Sequence, residues 1–207
     1  FKTKPDHPHY EKLKNTEQYV LRGSELTKQL LGFARRGKYQ VSPINLNALI
    51  SECSTLFGRT NKVISIRLEL ESKLRVVSID RGQIEQVLLN LIMNAWQAMP
   101  GGGVVRIATE NIAVDADRVH GRQAKPGDYV RVSVIDEGIG MDEETMQRIF
   151  DPFFTTKEMG RGTGMGLASA YGIIQNHDGF FEVESQVGQG STVSFFLPAS
   201  NETVAPE

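Results

Sequence analysis

One cysteine, Cys53, stands among 207 residues. No disulfide can therefore form within the chain, and a cysteine-rich metal site is excluded. This scarcity fits a reducing, cytoplasmic setting. Neither sign of charge is in excess: 23 Lys and Arg against 25 Asp and Glu leave a net charge of -2. Nothing here suggests a nucleic-acid binder held by bulk electrostatics, so no nucleic-acid partner is expected. No apolar run approaches the roughly 20 residues that span a bilayer. The opening Phe1-Lys2-Thr3-Lys4-Pro5 has no signal-peptide core, so no membrane contact is expected. An initiator Met is also missing, which suggests a piece of a longer protein whose sensor or membrane part lies elsewhere. There is no Gly-x-x-x-x-Gly-Lys-[Ser/Thr] loop, no Gly-x-Ser-x-Gly elbow and no paired-His zinc motif. His7, His9, His120 and His177 are scattered, and surface or capping roles suit them better than metal ligation.

What remains is an ordinary globular balance, 40% hydrophobic and 23% charged, with room for one domain and an appendage. Residues 8–36 read as one long helix, with Pro8 in its first turn and Gly37 at its end. Leu13, Val20, Thr27 and Ala34 recur every seven residues, joined by Ser24 and Leu31 and flanked by Leu26, Leu30 and Phe33. This imperfect heptad stripe suits a helical partner, and packing on the helix's own domain is the alternative.

Beyond residue 37 the pattern turns to mixed α and β, giving a domain over 38–198 and a frayed tail over 199–207. Strands are expected at 41–46, 63–70, 75–79, 104–111 and 129–135, with a closing hairpin of 180–185 and 192–197. Helices are expected at 45–57, 81–99 behind an Asp80 cap, 142–150 and 166–177. Helices covering one face of a largely antiparallel sheet make an α+β fold, a two-layer α/β sandwich, preceded by one long helix.

Three features inside this domain carry chemistry. Asn90 and Asn94 lie four residues apart, so both amides share one face of an otherwise apolar helix. Asn is a poor helix former, and its amide oxygen suits Mg²⁺, which takes oxygen ligands and keeps several waters. Two solvated Asn on a helix surface are the plainer alternative. Asp136-Glu137-Gly138-Ile139-Gly140 ends an apolar strand. A carboxylate there needs a donor; the exocyclic amine of adenine is one, whereas guanine presents an acceptor at the same place. Gly138 and Gly140 would let a flat base approach the backbone, although a tight turn with a surface Asp has the same spelling. Gly160, Gly162, Gly164 and Gly166 alternate through a loop that opens a helix, where backbone N–H groups converge readily on phosphate. A flexible linker is the alternative. Lys157 and Arg161 flank that loop, within approach of a terminal phosphate or simply solvated.

At these residues the chain resembles the ATP-binding catalytic domain of two-component sensor histidine kinases. That family shares a superfamily with gyrase B, heat-shock protein 90 and the MutL ATPases. Asn90-Leu91-Ile92-Met93-Asn94-Ala95 resembles its N box and Asp136-Glu137-Gly138-Ile139-Gly140 its G1 box. Phe150-Asp151-Pro152-Phe153-Phe154, followed by Thr155-Thr156-Lys157, resembles its F box. Gly162-Thr163-Gly164-Met165-Gly166-Leu167 resembles its G2 box.

The resemblance covers about residues 41–198 and implies a Bergerat-type ATP site. It implies Asn94 as the Mg²⁺ ligand, Asn90 as a phosphate-side or metal-side partner and Asp136 as the reader of adenine. It also implies a mobile lid over 151–166, with Gly164 and Gly166 at the phosphates. Phe150, Lys157, Thr163, Met165 and Leu167 join the ATP-binding set, and Asn90 with Lys157 are the catalytic candidates. Residues 1–37 resemble the second helix of the dimerisation and phosphotransfer hairpin. In the family the phosphoacceptor is a His followed by an acidic residue on the first helix, and Asp6-His7-Pro8-His9 reads instead as the inter-helix loop. ATP binding is therefore expected without self-phosphorylation of this chain. The intact parent is expected to be a homodimer that passes the γ-phosphoryl to its own His and serves a response-regulator receiver domain. Superfamily ATP hydrolases carry a Glu base where Asn90 stands, and an amide cannot take a proton from water. The heptad stripe of 8–36 argues against an anti-sigma-type serine kinase. The intact boxes argue against a docking module without nucleotide.

Overall fold

The computed structural model describes residues 9, 40–60, 64–119, 124–157, 162–200 and 202. The chain divides between Gly37 and Lys38 into two units, and apart from His9 these residues belong to the second. The long helix expected over 8–36, His120 and Arg161 lie outside the described residues.

Five strands form the main sheet in the order β2 (Ile64–Glu69), β4 (Gly103–Val114), β5 (Gly127–Asp136), β7 (Gly190–Pro198) and β6 (Phe180–Gln186). The β2–β4 pair is parallel and the other pairs are antiparallel. Period-two alternation sends Val130, Val132 and Val134 to one face of β5, with Phe195 and Leu197 beside them on β7. Three helices, α1 (Leu46–Thr60), α2 (Arg81–Ala98) and α5 (Gly166–Asn176), contribute the rest of that core. The fold is α+β, a two-layer α/β sandwich, as the patterning indicated.

Helix α2 lies at its centre. Ile84, Val87, Leu88, Leu91, Ile92 and Ala95 form its buried stripe. Asp80 caps it, its Oδ1 accepting the Gln83 N–H at 3.0 Å. Cys53 is buried on α1, and burial among acidic neighbours raises its thiol pKa to about 11.

Four features differ from the sequence reading. The short strands β1 (Val41–Ile44) and β3 (Val77–Asp80) pair with each other in a separate two-stranded sheet. Strand β4 continues to Val114, and the charged stretch after it contains the short helix α3 (Ala116–Val119). That helix covers part of the second sheet face, where Val114, Val119, Tyr129, Phe180 and Phe196 form a small second core. Arg118 secures it, donating to both Glu182 carboxylate oxygens at 3.0 and 2.6 Å with its guanidinium 5.0 Å from the Phe196 ring centre.

The expected tail at 199–207 is also corrected at its start. Ala199 bridges to Val77, and its N–H donates to the Asp128 carbonyl at 2.9 Å. The Ser200 N–H donates to the Val76 carbonyl at 2.7 Å. Asp128 on β5 and the backbone at Val76 and Val77 offer these residues partners that composition does not reveal. Finally, the helix expected at 142–150 is shorter: α4 spans Glu143–Arg148, with the Asp142 side chain accepting from the Thr145 N–H at 2.8 Å.

Candidate functional site

Asp136 is the last residue of β5 and is 7% exposed. Its carboxylate accepts from the Gly138 N–H at 2.8 Å and is also held by the Ser191 backbone. No ion pair to it exists among the described residues. Burial without a cation pushes its carboxyl above the usual carboxylate range, against the pull of those two backbone donors. Such a group is suited to a neutral N–H donor supplied from outside the chain.

The turn that follows is built by close backbone approach. Gly138 lies against the Ala98 carbonyl at the end of α2, and the Ile139 N–H donates to that carbonyl at 3.0 Å. Gly140 has φ +66, and a Cβ there would land on the Gln186 carbonyl oxygen. Across the turn Gly190 has φ +83, and a Cβ there would land on the Asp136 carbonyl oxygen. Two left-handed glycines thus lock Asp136 between the end of α2 and the β6–β7 hairpin.

The α2 face that carries Asn94 and Asn90 leads away from this turn. Asn94 lies one helical turn before Ala98 and Asn90 two turns before it, a span of roughly 12 Å at 1.5 Å per residue. That is the scale of an adenosine triphosphate. Asn90 Nδ2 donates to the Gly166 carbonyl at 3.0 Å, at the start of α5. Asn94 Oδ1 accepts from Lys157 Nζ at 3.4 Å, and Gln97 Oε1 accepts from the same ammonium. Burial holds the Lys157 pKa below its ordinary value.

Met165 occupies the N-cap of α5 and supplies no side-chain cap, so the first-turn N–H groups have no side chain of their own to serve them. An eleven-residue helix opening this way favours an anion at its start. The glycine loop leading into it folds back on the segment before it. Gly164 accepts from the Phe153 N–H at 2.9 Å, and Gly162 backs onto Thr155 and Lys157. Thr163 Oγ1 accepts from the Met165 N–H at 3.4 Å.

The structure therefore brings Asn90, Asn94, Lys157, Gly162, Gly164 and Gly166 together along α2, with Asp136, Gly138 and Gly140 at its far end. Met165 is buried, and Leu167 packs on the main core. Phe150 makes its ring contacts with Tyr171 and Phe181, at 5.0 and 5.1 Å between centroids, so its contacts anchor the start of the 151–166 segment to the core. Gln97 was missed by the sequence reading. Its place three residues after Asn94 and seven after Asn90 was the available signal. Ser185 was missed too: its hydroxyl accepts from the Met141 N–H at 2.8 Å and donates to the Gly190 carbonyl at 2.9 Å, with no motif to announce it.

Fold and site together define an α/β sandwich with a buried acid beyond one end of a helix whose amide-bearing face meets an uncapped helix start near Gly166. The family described as histidine kinase-, DNA gyrase B- and HSP90-like ATPase matches residues 79–201. The sensor kinase CckA of Brucella abortus (strain 2308) is 40% identical over 193 residues, covering 92% of this chain and 20% of that protein. The signal transduction histidine-protein kinase AtoS of Escherichia coli (strain K12) is 36% identical over 186 residues, covering 87% of this chain and 28% of its own length.

Among solved structures, the catalytic domain of the histidine kinase ThkA is 33% identical with a TM-score of 0.63, covering 77% of this chain and 95% of that one. Full-length ShkA in complex with AMPPNP has a TM-score of 0.73 at 26% identity, covering 99% of this chain and 41% of that one. ThkA in complex with the response regulator protein TrrA has a TM-score of 0.71 at 28% identity, covering 96% of this chain and 53% of that one. The chain belongs to the histidine kinase-, gyrase B- and HSP90-like ATPase family, and within it carries the ATP-binding domain of a sensor histidine kinase. It spans a fifth to under a third of the two curated relatives named here.

Proposed function

We propose that this domain binds Mg-ATP along α2 and presents the γ-phosphoryl group to a histidine on a helix outside the chain. The observation that carries the reading is Asp136: a buried acid with backbone donors and, among the described residues, no ion pair, beyond the end of a helix whose half-buried face bears the amides Asn90 and Asn94. In this reading Asp136 accepts from the exocyclic amine of adenine, and the turn at 138–140 gives the base room. The start of α5, Gly162 to Gly166 and Lys157 take the phosphates, with Thr163 and Met165 shaping the approach and Phe150 and Leu167 supporting it.

The donor set fits a nucleotide-borne metal. Among the described residues no group of three or more His, Cys, Asp or Glu can cage an ion. Asn94 Oδ1 nevertheless already accepts from a cation, the Lys157 ammonium. Asn94 would hold Mg²⁺ jointly with phosphate oxygens and water, and bound there the metal would neutralise phosphate charge. The protein's own work is orientation and charge placement. In the transfer, a bond forms from an imidazole nitrogen to the γ-phosphorus as the bond to the β,γ-bridging oxygen breaks and ADP leaves. Asn90 is tied to Gly166 and has no basic group, which disfavours hydrolysis as the main reaction.

The AMPPNP carried by ShkA, an ATP analogue, supports the nucleotide assignment, and the ThkA–TrrA complex supports a response-regulator partner. The heptad spacing in residues 8–36 supports reading 1–37 as the second helix of a dimerisation hairpin, and on that reading the intact parent is a homodimer. Titration calorimetry with Mg-ATP and Mg-ADP tests the reading. Micromolar to sub-millimolar binding that needs Asp136 is expected. No binding at millimolar nucleotide would leave only a docking role.

A further inference from the structure

Asn90, Asn94 and Gln97 share one face of α2, and among the described residues of 151–157 and 162–166 two points, Lys157 and Gly166, are hydrogen-bonded to that face. One is the Asn90 bond to the Gly166 carbonyl. The other is the Lys157 ammonium, seated on Asn94 Oδ1 at 3.4 Å and on Gln97 Oε1. Lys157 is itself well placed for this. Its N–H donates to Thr155 Oγ1 at 3.2 Å, and Gly162 packs against its stem. Two amide oxygens from one helix thus converge on one compact positive charge. Hard amide oxygens also suit a divalent ion.

We propose that the Lys157 ammonium and the metal of the bound nucleotide alternate on Asn94 Oδ1, and that Gln97 is a positioning residue which stabilises the ligand-free arrangement. The inference rests on the Mg-nucleotide reading above. Gln97 supports the latched state and makes no contact assigned to nucleotide. By population shift, weakening it favours the state that binds.

Gln97→Met keeps the length of an exposed side chain and removes the acceptor, so folding is undisturbed. Two measurements test it: Mg-ADP affinity with and without EDTA, and hydrogen exchange of residues 152–157 and 162–165 in the ligand-free protein. The variant is expected to bind Mg-ADP about three- to ten-fold more tightly and to exchange faster in both peptides, with metal-free ADP affinity little changed. Unchanged exchange, or Mg-ADP affinity equal to or below that of the unsubstituted protein, would overturn the latch while leaving the Mg-nucleotide reading intact. An unsubstituted protein whose ADP affinity is the same in Mg²⁺ and EDTA would overturn both.

Discussion

In the proposed reading Asp136 and Asn94 divide recognition between them, one for the base and one for the phosphate-bound metal. Asp136→Asn keeps an acceptor oxygen for the Gly138 N–H and removes the charge that burial disfavours, which offsets a weakened bond from Ser191, so folding stability is expected to change far less than binding. Adenine nucleotide affinity is expected to fall about ten- to hundred-fold, the value of a hydrogen bond to a charged group. Calorimetry beside thermal melting separates the two, and a parallel loss of binding and stability would make Asp136 a structural residue. The raised carboxyl also sets a pH dependence. Binding that needs the carboxylate is expected to strengthen as pH rises through that elevated value and to weaken in acid. Asn94→Ala is expected to abolish the difference between nucleotide binding in Mg²⁺ and in EDTA, and a preserved difference would move the metal to another ligand.

At the scale of elements, two junctions hold the site in shape. The first is the pair of left-handed glycines around Asp136. Gly140→Ala and Gly190→Ala each place a Cβ on a carbonyl oxygen in a backbone region that costs about 1–2 kcal/mol for an L-residue. Denaturant midpoints are expected to fall by at least that equivalent, with nucleotide binding lost beyond it, because the Asp136 turn shifts.

The second junction is His177 at the end of α5. Its Nε2 accepts from the Asp80 N–H at 3.0 Å and its Nδ1 lies 2.8 Å from the Ile173 carbonyl, so the neutral ring with hydrogen on Nδ1 satisfies both. Burial lowers its pKa from 6.5. Between the lowered value and 6.5 the unfolded chain binds more protons, so stability is full above that window and is lost as pH falls through it. Denaturation followed against pH is expected to show this acid limb, and His177→Gln to flatten it.

At the scale of the whole molecule, the proposed function makes the chain the nucleotide half of a reaction whose acceptor is a histidine on another helix. Joining a phosphoacceptor helix bearing a His followed by an acidic residue is expected to give phosphohistidine from γ-labelled ATP in a dimer, whereas the present chain is expected to bind nucleotide without becoming labelled. Continued silence in the joined protein would mark a degenerate kinase. Among the described residues no helix is long and apolar enough to cross a membrane.

Much of this was legible in order and spacing. The alternation in 130–135, the apolar stripe of 84–95 and the Asp80 cap are local patterns, so strand, helix and boundary followed from residue type and period. Asp136 was visible because a carboxylate at the end of an apolar strand needs an explanation wherever the strand goes. What tertiary structure alone decided is which distant groups meet. The pairing of β1 with β3, the docking of Ala199 and Ser200 and the covering of the second sheet face depend on backbone edges and space left by other elements. The seating of Lys157 on Asn94 and Gln97, 63 and 60 residues away, depends on how α2 packs beneath the glycine segment. Periodicity reports the faces of one element, and contacts at such separation arise only when those faces are pressed together.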